Sequence, residues 1–126
     1  MDQAELASYA RKTYGTEPER LFPETPETYI LRHRENRKWY AVVMRVPRSK
    51  LGLSGDEAVF LLDVKCGPLL SGSYLGKPGV VPAWHMNKTH WLGVLLDGSA
   101  EEETVRELLD ISYRLTAGSR KERDGK

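Results

Sequence analysis

Sulfur crosslinking is the first thing this chain lacks. Its one cysteine, Cys66, has no second thiol to pair with, so an internal disulfide is excluded, a reducing compartment fits, and the fold has to rest on an apolar core. Long apolar runs are missing as well. Stretches such as Val59-Phe60-Leu61-Leu62 and Val94-Leu95-Leu96 fall far short of the roughly 20 residues a membrane-crossing helix needs. Met1-Asp2-Gln3 opens without the basic and then apolar stretch of a secretory signal. A cytoplasmic protein with no membrane partner is therefore expected. Nor is there an excess of charge of one sign: 19 Lys and Arg stand against 18 Asp and Glu, for a formal net charge of +1. That balance argues neither for nucleic acid nor against it.

What is present describes one ordinary globular domain. The chain has 126 residues, 40% of them hydrophobic and 29% charged, enough for a single core. The domain is expected over residues 1–117, with a flexible polar tail at 118–126. Charge is segregated along the chain. Residues 1–27 carry three basic and six acidic side chains, residues 28–94 ten and four, and residues 95–126 six and eight. A basic middle between acidic ends can focus positive potential on one face, or can be a solvated sheet surface.

Periodicity predicts the order helix, hairpin, strand, short helix, hairpin, helix. Asp2 with Glu5 reads as a capping box ahead of Leu6, Tyr9, Ala10 and Thr13 at helical spacing, and Gly15 as the stop. Pro18, Pro23 and Pro26 among glutamates make 16–27 an ordered loop or lid. Thr28–His33 and Lys38–Val46 form a hairpin, with Asn36 taking the left-handed position of the turn. Tyr40, Val42, Met44 and Val46 are expected on the core side of its second strand. A third strand follows at Ala58–Cys66, then a short helix opened by Pro68. Val80–His85 and His90–Leu96 read as a second hairpin, with Pro82 making its first strand an edge. Ser99 with Glu102 is a second capping box, ahead of a final helix that buries Val105, Leu108, Leu109, Ser112 and Leu115 and stops at Gly118. The fold class is α+β: two layers, with a mainly antiparallel sheet of about five strands covered by the N- and C-terminal helices.

No pattern of catalysis stands out. Ser71 and Ser73 flank Gly72 without the Gly-x-Ser-x-Gly elbow, and Gly76-Lys77-Pro78-Gly79 resembles a phosphate loop in composition only. His85, His90 and Cys66 are scattered, with no paired-ligand spacing, so no metal site and no cofactor are expected. Two constellations remain. Arg32, Arg34, Arg37 and Lys38 on the first hairpin, Arg48 and Lys50 in the next loop, and Asn87 and Lys88 at the second turn could meet phosphates and a groove of duplex DNA, or could simply solvate the surface. Pro82-Ala83-Trp84-His85-Met86-Asn87-Lys88-Thr89-His90-Trp91 crowds indoles and imidazoles onto one turn. Lys65, Trp84, His85, His90 and Trp91 are thus candidates for a ligand pocket facing the 16–27 loop.

Lys65-Cys66-Gly67-Pro68, the Pro82–Trp91 run, Leu96-Asp97-Gly98 and Ser112-Tyr113 together resemble the MmcQ/YjbR family. Arg32-His33, Trp39 and Val46-Pro47-Arg48-Ser49-Lys50-Leu51-Gly52-Leu53 look like one bacterial branch of it. The resemblance extends from the first helix to about Thr116. Gly67 departs from it, standing where an acidic residue is expected between the Cys and the Pro. The resemblance implies a fold similar to that of CyaY and a DNA-binding role in which two β-hairpins act as a double wing; the lack of a catalytic motif makes a non-enzymatic protein the expectation. A module that binds a protein partner or a small ligand is the alternative.

Overall fold

A computed structural model describes residues 1–117; the expected tail and the Gly118 stop lie outside the described residues. The predicted order is the observed one. It runs α1 (Gln3–Tyr14), β1 (Tyr29–Arg32), β2 (Trp39–Pro47), a single 3-10 turn at Arg48–Leu51, β3 (Ala58–Lys65), α2 (Gly67–Tyr74), β4 (Val80–Pro82), β5 (Trp91–Leu95) and α3 (Glu102–Thr116). The five strands form one antiparallel sheet in the order β1-β2-β3-β5-β4. No helix of the described residues is long and apolar enough to cross a membrane.

One face of the sheet carries the helices. Leu6 and Ala10 of α1 and Val105, Leu108 and Leu109 of α3 pack on Tyr29, Leu31, Ala41, Val43, Leu62, Val64, Leu92 and Val94 in a single cluster. Alternation puts these strand residues in register across the sheet, as in Ala41 beside Val64 and Val64 beside Leu92. Ser112 of α3 ties the two layers together. Its hydroxyl accepts from the Lys65 N–H at 2.9 Å and donates to the Tyr40 carbonyl at 2.6 Å. The capping box at Asp2 and Glu5 forms as read, and Gly15 takes the left-handed C-cap.

Four local expectations change. Register runs Leu31 to Ala41 and then Arg32 to Trp39, which leaves Tyr40 as the extra residue of a β-bulge. The bulge turns Tyr40 toward the helices, where its hydroxyl donates to Thr16 Oγ1 at 2.7 Å. The helix-packed side of β2 is therefore Ala41 and Val43, while Val42, Met44 and Val46 line the opposite face together with Trp39. The left-handed residue of the first turn is Arg37, φ 67°; Asn36 instead uses its side chain to accept from Lys38 N and donate to the Thr116 carbonyl. Ser99 bonds Asp97 instead of capping α3, which starts three residues later behind Glu101. Within the stripes, Thr13 of α1 is exposed, and so is Leu115 of α3, at 51%. The α3 stripe continues at Thr116.

The open face has a smaller core. Val46, Val59, Leu61 and Leu95 are buried beneath Met44, Leu51, Leu53, Val81 and Trp84. The sheet's two edges differ from a plain strand edge. Glu19 bridges the outer side of β1 through Glu19 N to Ile30 O at 3.0 Å and Ile30 N to Glu19 O at 2.9 Å. At the other side β4 is three residues long and ends on Pro82.

Candidate nucleic-acid interface and the groove on the open face

Antiparallel pairing decides where the basic residues fall. Trp39 begins β2, Lys65 ends β3, Trp91 begins β5 and Pro82 ends β4, and register places all four at one end of the sheet. The turn after β1 and the 83–90 connection therefore leave from the same end. Arg34, Arg37 and Lys38 are exposed on the first; Asn87, Lys88 and His90 are exposed on the second. Arg48 and Lys50 follow the far end of β2. A nine-residue strand separates the two groups by roughly 25–30 Å, well over a Debye length of about 8–10 Å in physiological salt.

Not every predicted cation is free. Arg32 makes a forked pair with Glu19, Nε to Oε2 at 2.9 Å and Nη2 to Oε1 at 2.6 Å. The hydrogen bond to Arg32 holds the Glu19 carboxyl below its ordinary range. Arg48 donates to the Ser54 carbonyl at 2.9 Å and lies 3.6 Å from Asp97. Arg34, Arg37, Lys38 and Lys88 have no ion pair among the described residues. Beside the first turn is a polar cleft of about 540 Å³ lined by Tyr14, Glu17, Glu19, His33, Arg34, Glu35, Arg37 and Tyr113, among others. Arg11 and Arg32 engage Glu17 and Glu19, leaving Glu35 against three cations on the turn.

His33 anchors that turn from within. It is 4% exposed, and its Nε2 lies 3.0 Å from the Tyr113 carbonyl and 2.8 Å from Thr116 Oγ1. The carbonyl can only accept, so Nε2 carries the proton. Burial pushes the imidazole below its usual range, with the Tyr113 hydrogen bond acting against it. A stack of Tyr14 on Tyr113, centroids 4.1 Å apart, with Tyr40 edge-on at 4.9 Å from Tyr113, fixes the surrounding wall. Burial also raises Tyr14 and Tyr40 above the usual phenol range, so these hydroxyls remain neutral hydrogen-bonding groups.

The second connection is pinned at two points. The His90 carbonyl accepts from Cys66 N and Gly67 N at 2.8 and 3.2 Å, and the Asn87 carbonyl from His90 N and Trp91 N at 3.2 and 2.9 Å. Asn87 Oδ1 also accepts from Thr89 N at 2.8 Å, which holds the tip in a tight turn. Upstream, His85 takes φ 66°, a left-handed conformation uncommon for this residue type. Trp84 packs onto the open sheet face, where its N–H donates to Asp63 Oδ1 at 3.3 Å. The strands of this hairpin are correspondingly shorter than the sequence suggests, and residues 83–86 become a wall.

That wall bounds a groove of about 400 Å³, lined by Phe22, Thr25, Thr28, Trp39, Val42, Met44, Arg45, Val46, Pro47, Lys50, Trp84, His85 and Met86. Of the candidate pocket residues, Trp84 and His85 line it. Lys65 and Trp91 sit side by side in register on the open face outside it, and His90 is exposed at the sheet end. The sequence reading missed Asp63. It is fully buried beside Val42 in register, and its Oδ2 has no partner among the described residues. Burial pushes its carboxyl up to about 7, against lowering by the Trp84 N–H and by Lys88. An acid on the open side of a strand gives no hint in sequence that a distant loop will cover it. Cys66 is buried and its thiol is raised by burial, which fits a packing residue. Among the described residues no three His, Cys, Asp or Glu side chains gather as a metal-holding group.

The YjbR family model matches residues 11–115. The chain belongs to the YjbR family. Within the family it is similar to the uncharacterized protein YyaQ of Bacillus subtilis (strain 168), 31% identical over 116 residues, covering 92% of this chain and 98% of that one. A crystal structure of a protein from Pseudomonas syringae is 40% identical and superposes with a TM-score of 0.89, over 92% of this chain and 99% of that chain. Deinococcus radiodurans protein DR2400, with a DUF419 domain, is 22% identical with a TM-score of 0.65, over 94% of this chain and 80% of that one, and shares the fold. The YjbR match takes in β1 to β5, both basic connections and most of α3.

Proposed function

We propose that this chain is a non-enzymatic domain that binds duplex DNA through phosphate contacts made by the two connections at one end of its sheet. Arg34, Arg37, Lys38 and Lys88 are the contacting cations, and Asn87, with its Oδ1 held by Thr89 N, is the tip residue whose amide NH2 reaches a base edge. The observation that carries this reading is the shared end: two loops distant in sequence expose four cations there, none in an ion pair among the described residues. Arg32 and Arg48, engaged by Glu19 and Asp97, contribute less, and Lys50 lies at the far end.

Four phosphates neutralised correspond to a slope of about −3 to −4 for log affinity against log salt. Fluorescence anisotropy with a labelled duplex at several salt concentrations measures it. Replacing Arg37 and Lys38 by Glu weakens binding to all sequences alike and flattens the slope, whereas replacing Arg48 and Lys50 by Gln leaves it unchanged. Binding indifferent to Arg37, Lys38 and Lys88, or no binding at low salt, refutes the reading.

A further inference from the structure

The groove on the open face has features that phosphate binding does not use. Its floor is Val42, Met44 and Val46 of β2; one wall is Phe22 and Thr25 from the 16–27 loop, the other Trp84, His85 and Met86. Phe22 is 36% exposed and stands edge-on to Trp39, centroids 6.3 Å apart. Successive bonds from Thr25 N to Phe22 O at 3.0 Å and from Thr28 N to Thr25 O at 2.9 Å hold that loop in place. On the other side, the left-handed His85 and the bond from Trp84 N to Asp63 hold Trp84 against the sheet. Both walls are thus preformed, and about 400 Å³ falls within the roughly 300–1,000 Å³ of small-molecule sites.

Charge narrows the occupant. The lining contains no Asp or Glu, and the cation on the groove side is Lys50; Arg45, in register with Phe60, alternates with Met44 and Val46 and turns to the helix-bearing face. There Arg45 pairs with Glu27 at 3.9 Å. Lys50 has no ion pair among the described residues. Aromatic and thioether side chains around an apolar floor, with a lysine at the rim and no acid in the lining, are complementary to a flat apolar body bearing a negative group. We propose that this groove binds a small aromatic anion, its ring held between Phe22 and Trp84 and its charge directed to Lys50.

Two fluorescent probes with nearly the same aromatic body test this: anilinonaphthalene sulfonate, an anion, and phenylnaphthylamine, which is neutral. Titrated into the full chain, the sulfonate saturates at a single equivalent. Lys50→Gln weakens it about fivefold, as expected for loss of one exposed charge contact, and leaves the neutral probe within about twofold. Phe22→Ala, at an exposed loop position that does not threaten the fold, weakens both probes about fivefold. Non-saturable sulfonate binding, or saturable binding untouched by Phe22→Ala, overturns the site. Equal loss or equal retention of both probes in the charge variant overturns the anionic class of ligand.

Discussion

Replacing Asp63 by Asn changes the pH dependence of folding in a way the structure sets in advance. In the native chain the carboxyl is fully buried, with one 3.3 Å hydrogen bond from Trp84 N and a second oxygen unpartnered among the described residues. Burial raises it from 3.8 to about 7. Between those values the native state holds a proton that the unfolded chain has released, so the stability this group contributes is full below 3.8 and is lost as pH rises toward 7. From pH 5 to pH 8 that loss is ~2–3 kcal/mol, at ~1.4 kcal/mol for each tenfold change in proton activity. Asparagine keeps an oxygen for Trp84 N and cannot ionise. Its buried amide costs ~1–3 kcal/mol, but that cost is the same at every pH. The stability of Asp63→Asn relative to wild type should therefore move by ~2–3 kcal/mol in favour of the variant between pH 5 and pH 8. His33, held below its ordinary value of 6.5 by burial, contributes stability that is lost as pH falls. It does so equally in both proteins and cancels. Urea unfolding at pH 5, 6, 7 and 8 measures the difference. A difference constant to within about 0.5 kcal/mol across that range would show that Asp63 ionises normally in the folded chain, and would remove the argument.

Two further substitutions test how the layers are joined. Ser112→Ala deletes the hydroxyl that serves both Lys65 N and Tyr40 O, leaving two backbone groups unpaired, and should cost ~2–4 kcal/mol in urea unfolding. Leu109→Ala, at a fully buried position, should cost ~2–5 kcal/mol, whereas Leu115→Ala, at 51% exposure, should fall within ~0.5 kcal/mol of wild type; comparable losses in thermal melts would contradict the observed face of α3.

What the sequence made legible follows the range of the interactions. The Asp2 and Glu5 capping box, the Gly15 stop, the Pro68 helix start and the Val105–Leu108–Leu109 stripe depend on residues a few positions apart, and they form as read. Tyr40 lies on the core side as expected, but Val42, Met44 and Val46 do not share that side with it, because a bulge shifts register by one residue and alternation carries no signal of that. The start of α3 moved because Ser99 satisfies Asp97 in the preceding turn, a competition that the capping pattern does not reveal. For the candidate sites, the 83–90 run was recognisable by composition, and its Trp84 and His85 do face the 16–27 loop across a groove. Its backbone course was not recognisable, since that depends on Asp63, two strands and twenty-one residues away from Trp84. Pairing of Arg32 with Glu19 was likewise hidden, because it needs the 16–27 loop to lie along β1.

That same passage of chain along β1 has a consequence for association. Glu19 occupies the outer N–H and C=O of Ile30, and at the opposite margin β4 offers only three residues closed by a proline. Neither margin presents the row of free backbone groups on which a foreign strand could assemble. Both margins are thus poor templates for strand addition and for fibrillar growth by the same route.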